Sequence, residues 1–154
     1  MKLTQTTLTI FTVSAVLTAY LTAAQAQFSL SLQLDEPTVK LGAPIIGKVI
    51  LTNKTEHDIE VYSDKSRYAR PSRIDIQVRD SQGRRPKPTI EEEVIIGSGA
   101  DQPIKPNEAI EFKVNVAELY HIDEPGDYTV VATLFDDKTK ILVESNSVTV
   151  TVTR

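Results

Sequence analysis

The chain has 154 residues, with 17 basic and 21 acidic side chains, a formal net charge of −4 and no cysteine. This length suits one domain that can bury an apolar core, so stability does not require a metal or a disulfide. The absence of cysteine excludes disulfides and a lipid anchor attached through cysteine. The acidic balance disfavours nucleic acid or an anionic membrane as the main partner.

The first 26 residues have the three parts of a secretory signal peptide. Lys2 gives a basic start, an apolar run covers 8–21, and Ala24 and Ala26 place small side chains where a signal peptidase reads them. We expect cleavage after Ala26, which would leave a 128-residue domain at 27–154, located in the periplasm or outside the cell. After the leader, no apolar stretch approaches the roughly 20 residues of a membrane span. An uncleaved leader acting as an anchor is the alternative.

Apolar and polar residues alternate with period two along most of the remaining chain, and turn residues interrupt the alternation at short intervals. This pattern is typical of short, half-buried strands. The predicted strands are 28–35, 45–52, 59–63, 74–79, 110–116, 127–135 and 142–152. An eighth short strand at 94–96 falls in the least regular segment, 84–106, which contains four prolines. A corner at 117–125 has room for one helical turn.

Seven or eight short strands without a fixed repeat indicate an all-β fold, and an antiparallel β-sandwich of two sheets is the simplest way to bury their apolar faces. A closed barrel is the rival architecture. The segment 124–130, EPGDYTV, favours an immunoglobulin-like sandwich, because Gly126 makes a corner and Tyr128 opens the penultimate strand. In such sandwiches the tyrosine hydroxyl bonds back to the corner backbone. We therefore expect Gly126 and Tyr128 to be structural, with the hydroxyl bonded near 119–124.

The segment 116–130, VAELYHIDEPGDYTV, resembles a corner of bacterial secreted immunoglobulin-like domains. It is similar to the non-catalytic domain that precedes the catalytic domain in deuterolysin-type metallopeptidases. The segment 41–53, LGAPIIGKVILTN, is similar to strands of that group and of BsuPI-type proteinase-inhibitor domains. The resemblance implies a fold and no particular activity. The paired cysteines and the strand tryptophan of antibody domains are absent, and Val130 stands at the position of the second cysteine.

The sequence lacks a Gly-x-Ser-x-Gly motif and a cysteine nucleophile, so the parts of common hydrolytic sites are missing. The two histidines, His57 and His121, are 64 positions apart, so the helical histidine pair of zinc peptidases is absent. The acidic clusters 91–93 and 136–137 suit turn chemistry better than calcium binding or glycoside hydrolysis. Residues 53–55 match the N-glycosylation acceptor pattern, which is common by chance. We expect no enzymatic activity, no cofactor and no metal.

Cationic and aromatic side chains cluster in the loop after the third predicted strand, which we call the cationic loop. They are Lys65, Arg67, Tyr68, Arg70 and Arg73, with Arg84, Arg85 and Lys87 in the following turn. Arginine and tyrosine are enriched at protein interfaces, and loops at one end of a sandwich often carry binding, although most charged loops are only solvated. We expect any partner-binding site in this loop, with the hairpin at 136–139 at the opposite end.

Three functional hypotheses follow. The first is an exported, non-catalytic immunoglobulin-like domain that binds a protein or a surface glycan. The second is a secreted proteinase inhibitor, which the BsuPI-type resemblance implies and which needs an exposed loop that fits a protease cleft. The third is a small hydrolase, for which the sequence offers no assembled site.

Overall fold

In a computed structural model of the chain, the described residues are 25–63, 74–89 and 100–154. They contain ten strands and one short helix: β1 (Phe28–Leu34), β2 (Thr38–Lys40), β3 (Ile46–Asn53), β4 (Ile59–Ser63), β5 (Ile74–Asp80), β6 (Ala100–Ile104), β7 (Ala109–Asn115), α1 (Val116–Leu119), β8 (Gly126–Asp136), β9 (Ile141–Glu144) and β10 (Val148–Thr153). The predicted all-β class is confirmed. Residues 1–24 of the predicted leader, the predicted strand at 94–96 and the side chains of the cationic loop lie outside the described residues.

The strands form an immunoglobulin-like sandwich with two main sheets. One sheet has the order β1-β3-β7, and the other has the order β2-β10-β8-β5, with β9 also paired to β8. In immunoglobulin terms, β1, β3 and β7 correspond to strands A, B and E, whereas β5, β8 and β10 correspond to C, F and G. The strands β4 and β6 form a separate antiparallel ribbon.

Three features differ from the predicted antiparallel sandwich of seven or eight strands. The strand β2 follows Pro37 and pairs in parallel with 151–153 of β10. The strand β6 contains Pro103 and lies in the segment that was expected to be irregular. The predicted strand 142–152 is divided into β9 and β10. Both β2 and β6 depend on pairing with distant residues, which local alternation does not reveal.

Ser145 and Asn146 cause the division between β9 and β10. The backbone N–H of Ser145 donates to the carbonyl oxygen of Ala132 at 2.8 Å, and Ser145 Oγ accepts from the Ala132 N–H at 2.9 Å, so a side chain replaces a backbone acceptor. The Asn146 amide accepts from the N–H of Leu32 and donates to its carbonyl oxygen, each at 2.9 Å. Because Leu32 belongs to β1, Asn146 attaches the edge of one sheet to the other.

The inner faces of both sheets supply one apolar core. Leu32, Val49 and Leu51 are fully buried on the first sheet, and Val130 and Val150 are fully buried on the second. Antibody domains carry a cysteine at the position of Val130, and here the packed valine side chain fills that position. Without cysteine, burial of apolar surface, worth roughly 25 cal/mol per Å², is the main stabilising contribution.

The long strand β8 runs from one end of the sandwich to the other. Its first residue, Gly126, follows the segment 116–125, and we call this the corner end. Its last residue, Asp136, pairs with Ile141 across a tight turn, and we call this the hairpin end. Each loop can be assigned to one of these ends from the strand pairing.

The cationic loop joins the sheet at the hairpin end. It directly precedes Ile74, the first residue of β5, and Ile74 pairs with Leu134 near the end of β8. The junction of the loop with β5 is therefore at the same end as the hairpin at 136–139, whereas the prediction put the loop and the hairpin at opposite ends. Alternation identifies each strand, but it does not say which residues of two antiparallel strands stand opposite each other.

The corner end is organised around Tyr128. Its hydroxyl donates a hydrogen bond to the carbonyl oxygen of Glu124 at 2.8 Å, inside the segment 119–124 expected from the sequence. Burial, followed by the nearby Glu124 carboxylate, raises the pKa of Tyr128, which keeps the hydroxyl protonated as a donor. Gly126 has a φ of +153°, a backbone conformation that favours glycine. The corner therefore depends on one side chain and one backbone conformation.

Tyr128→Phe should lower the free energy of unfolding by about 1 kcal/mol, the usual net value of one hydrogen bond. The loss stays moderate because Glu124 is exposed, so water can bond its carbonyl oxygen in the variant. Urea denaturation of parent and variant measures the difference. A variant that unfolds at the parent's urea concentration would contradict the role of this hydrogen bond.

Candidate functional site

The predicted partner-binding side chains, Lys65, Arg67, Tyr68, Arg70 and Arg73, lie outside the described residues. What the structure describes is where this segment joins the sandwich, at Ile74 of β5. The neighbouring elements at the hairpin end are the last residues of β8, the hairpin that leads to β9, and the start of β1. These elements surround the point where the loop joins β5.

An exposed apolar pair lies next to this junction. Phe135 and Leu142 stand directly opposite each other on β8 and β9, and they are 43% and 53% exposed. Both point away from the core, since their neighbour Leu134 is buried on the inner face. Lys138 and Lys140 are exposed in the turn that connects the two strands. Sequence analysis missed the pair because a strand residue facing solvent and one facing the core look alike when both are apolar.

The hairpin turn is built on a buried carboxylate. Asp136 is only 2% exposed, and its Oδ1 accepts hydrogen bonds from the backbone N–H groups of Lys138 at 3.0 Å and Thr139 at 3.3 Å. This is the turn chemistry expected of the cluster 136–137. Gln27, more than one hundred residues away, donates to the same carboxylate through its backbone N–H at 2.8 Å and its Nε2 at 2.9 Å. No local pattern in the sequence indicates this second role.

The cations of the turn after β5 lie at the corner end, whereas the cationic loop joins β5 at its other end. Arg84 pairs with Asp80, with 2.7 Å between Nε and Oδ2. The Arg85 guanidinium lies 5.4 Å from the ring centroid of Tyr120 and donates to its hydroxyl at 2.7 Å. That hydroxyl donates in turn to the buried carbonyl oxygen of Ile76 at 2.6 Å. Arg84 and Arg85 therefore fasten their own turn to the sandwich.

A small cavity of about 230 Å³ opens at the corner end. It is smaller than the roughly 300–1,000 Å³ of typical ligand pockets. Its lining is mixed, with apolar side chains beside polar ones: Ala43, Ile45, Ala117, Ile122, Val152, Lys40, His121 and Asp123. Its small volume and mixed lining give the cavity the character of a surface depression.

The two histidines are too far apart to share a ligand. His57 lies in the turn after β3 at the hairpin end, and His121 lies at the corner end. Among the described ranges, no group of three or more histidine, cysteine, aspartate or glutamate side chains is arranged to hold a metal ion. Within those same ranges, no helix has the length and apolar character to cross a membrane.

No protein family matches the chain, and no curated protein sequence matches it.

Three solved structures from bacteria resemble the chain in backbone arrangement. The Pseudomonas fluorescens alkylpurine DNA glycosylase AlkC, solved with DNA containing an abasic site analogue, is 10% identical, with a TM-score of 0.46 over 84% of this chain and 31% of its own. The Erythrobacter marinus β-glucosidase EmGH1 is 16% identical, with a TM-score of 0.43 over 83% of this chain and 16% of its own. The Bacillus subtilis sporulation control protein Spo0M is 17% identical, with a TM-score of 0.48 over 84% of this chain and 50% of its own.

The chain thus spans half or less of each of these three proteins. At such identities and scores, the likeness carries no argument about the activity or the partners of this chain.

Proposed function

We propose that the chain is an exported, non-catalytic immunoglobulin-like domain that binds a protein or a surface glycan through its hairpin end. The main support is the exposed pair Phe135 and Leu142, which lies beside the point where the cationic loop joins β5. Aromatic side chains and arginine are the residue types most enriched in binding hot spots. The loop supplies arginine and tyrosine, and the hairpin supplies apolar area.

The proposed surface combines apolar contacts with positive charge. Lys138 and Lys140 place positive charge on the hairpin, at the end of the sandwich where the cationic loop joins β5. Such a surface fits a partner with an apolar patch rimmed by acidic groups, or an acidic glycan that packs on the Phe135 ring. The resemblance to the domain that precedes the catalytic domain in deuterolysin-type metallopeptidases agrees with a non-catalytic domain, and we include membership of that group in the proposal.

The experiment is a pull-down from the native envelope with the exported domain, followed by affinity measurements on the partner recovered. Reversing two charges, with Arg67→Glu and Arg70→Glu together, should weaken binding by about 2 kcal/mol, or roughly 30-fold, as for loss of a central interface arginine. Thermal melting should change little, because surface substitutions typically alter stability by within about 0.5 kcal/mol each.

The matched control reverses two charges at the other end of the sandwich. Lys40→Glu and Lys87→Glu change the net charge equally, and both side chains are exposed at the corner end. Lys138 does not serve as a control, since it lies on the proposed surface. Weaker binding in the control with unchanged binding in the loop variant would place the partner at the corner end and contradict the proposal.

The secreted proteinase inhibitor remains the alternative, favoured by the similarity of 41–53 to BsuPI-type domains. An inhibitor places an exposed loop in a protease cleft, so the isolated domain should block a protease at nanomolar concentration. Assays against serine, cysteine and metallo-proteases from the same envelope separate this role from simple adhesion. Inhibition that is lost in the Arg67→Glu, Arg70→Glu variant would assign the inhibitory loop to the hairpin end.

A further inference from the structure

The first residue of the predicted mature domain is held by a buried carboxylate. The backbone nitrogen of Gln27 lies 2.8 Å from Asp136 Oδ2, and its side-chain Nε2 lies 2.9 Å from Oδ1. The carbonyl oxygen of Gln27 accepts from the N–H of Lys54 at 2.8 Å, which fixes the residue from the other side. Asp136 is 2% exposed. A buried carboxylate therefore contacts the nitrogen that becomes the N-terminal amine if the chain is cleaved after Ala26.

We propose, on the basis of the export proposed above, that cleavage after Ala26 converts this hydrogen bond into a buried ion pair between the new α-ammonium group of Gln27 and Asp136. Hydrolysis of the peptide bond leaves the nitrogen attached to the same Cα, but as a charged donor in place of a neutral amide. The amide already makes a charge-assisted hydrogen bond to the carboxylate, and a positive charge on the nitrogen adds direct attraction between opposite charges where little water screens them. Processing thus strengthens a contact that the precursor already makes.

The ion pair also determines the chemical stability of Gln27. An N-terminal glutamine cyclises when its α-amino nitrogen attacks the side-chain carbon Cδ: the bond from nitrogen to Cδ forms, the bond from Cδ to Nε2 breaks, and a proton moves to the leaving nitrogen, which departs as ammonia. The attack requires a free electron pair, which the ammonium form lacks. Asp136 also holds the two nitrogens on separate oxygens. Gln27 therefore keeps its free amine in the folded, exported domain.

The test uses the full chain produced in a bacterial host and recovered from the cell envelope. Mass spectrometry of the N-terminal peptide gives the cleavage position and the fraction of Gln27 that has lost ammonia during storage at neutral pH. Each unit by which the ion pair raises the amine pKa lowers the reactive fraction about tenfold, so cyclisation should be at least about tenfold slower in the folded chain than in urea.

Two variants separate the charge from the fold. Asp136→Asn removes the charge and keeps an acceptor oxygen, so cyclisation should become severalfold faster. Glu144→Gln removes an exposed carboxylate from β9 and should keep the parent's rate. The comparison of the folded parent with the same chain in urea does not depend on whether Asp136→Asn folds.

Equal cyclisation rates in the folded and unfolded chains would contradict the proposed ion pair. An N-terminus at any residue other than Gln27 would overturn it as well. Either result leaves binding at the hairpin end intact as a proposal, because the pull-down and the charge-reversal variants measure binding independently. Slow cyclisation in the folded chain, faster cyclisation in Asp136→Asn and an unchanged rate in Glu144→Gln together support the ion pair.

Discussion

Asn53→Ala should lower the free energy of unfolding by about 3 kcal/mol or more. Asn53 is fully buried, and its Nδ2 donates to the carbonyl oxygens of His57 and Ile104, each at 2.8 Å. Its Oδ1 accepts from both the N–H and the hydroxyl of Thr55, again at 2.8 Å. Removing the amide takes the donor from the buried carbonyl oxygen of Ile104 and the acceptor from the partly buried Thr55 groups, and a buried unsatisfied group costs about 1–3 kcal/mol.

Urea denaturation measures this loss, and Lys54→Ala is the matched control. Lys54 is the next residue and its side chain is exposed, so the control should stay within about 0.5 kcal/mol of the parent. If Asn53→Ala unfolds like Lys54→Ala, the buried amide does not stabilise the turn. The same geometry bears on the acceptor pattern 53–55. The Asn53 side chain is fully buried and its Nδ2 makes two hydrogen bonds, so a glycosyltransferase cannot reach it once the domain has folded.

Acid should destabilise the chain through Asp136, by about 2 kcal/mol between about pH 4 and pH 2. Burial alone would raise the pKa of Asp136, but hydrogen bonds from Gln27 and Thr139 outweigh burial and lower the pKa from 3.8 to about 2. A carboxyl group whose pKa is lower in the folded state stabilises the fold above its unfolded pKa. That stabilisation is lost as the pH falls through the folded pKa.

Urea denaturation at several acidic pH values measures this dependence. Asp136→Asn should be less stable than the parent by about 2 kcal/mol at neutral pH, and this difference should disappear near pH 2. Asp35→Asn is the control at neutral pH, because Asp35 forms an exposed ion pair with Lys48 at 3.2 Å, and such pairs are worth about 0–1 kcal/mol. A constant difference between parent and Asp136→Asn across this range would contradict the low pKa.

The alternation of apolar residues was sufficient to predict the long strands. Leu30 and Leu32 on β1, or Ile76 and Val78 on β5, are spaced by two and all face the core. The same rule cannot find β2, whose one buried side chain, Val39, carries no period. Alternation also fails to show that β9 and β10 are separate strands. The break between them comes from a hydrogen bond between Ser145 and a residue of β8. Contacts between distant residues decide such details.

The candidate site shows the same limit. Residue types in the cationic loop indicate binding, and the sequence is enough to notice them. Which elements lie beside the junction of the loop with β5 follows from the pairing of Ile74 with Leu134, which composition does not encode. The hydrogen bonds between Gln27 and Asp136 are likewise not predictable from the sequence. Neither residue belongs to a local motif that indicates the contact, and only the folded sandwich brings the two together.

The amide of Asn146 has a consequence for how copies of this domain meet one another. An edge strand offers unpaired backbone groups to any extended chain, and pairing through such edges is a route to aggregation. On β1, Asn146 occupies both outward backbone groups of Leu32, at the middle of the strand. A strand from a second copy would have to displace this side chain before it could extend the sheet there. The chain has no cysteine cross-links, and the Asn146 amide keeps the middle of β1 from pairing with a strand of a neighbouring copy.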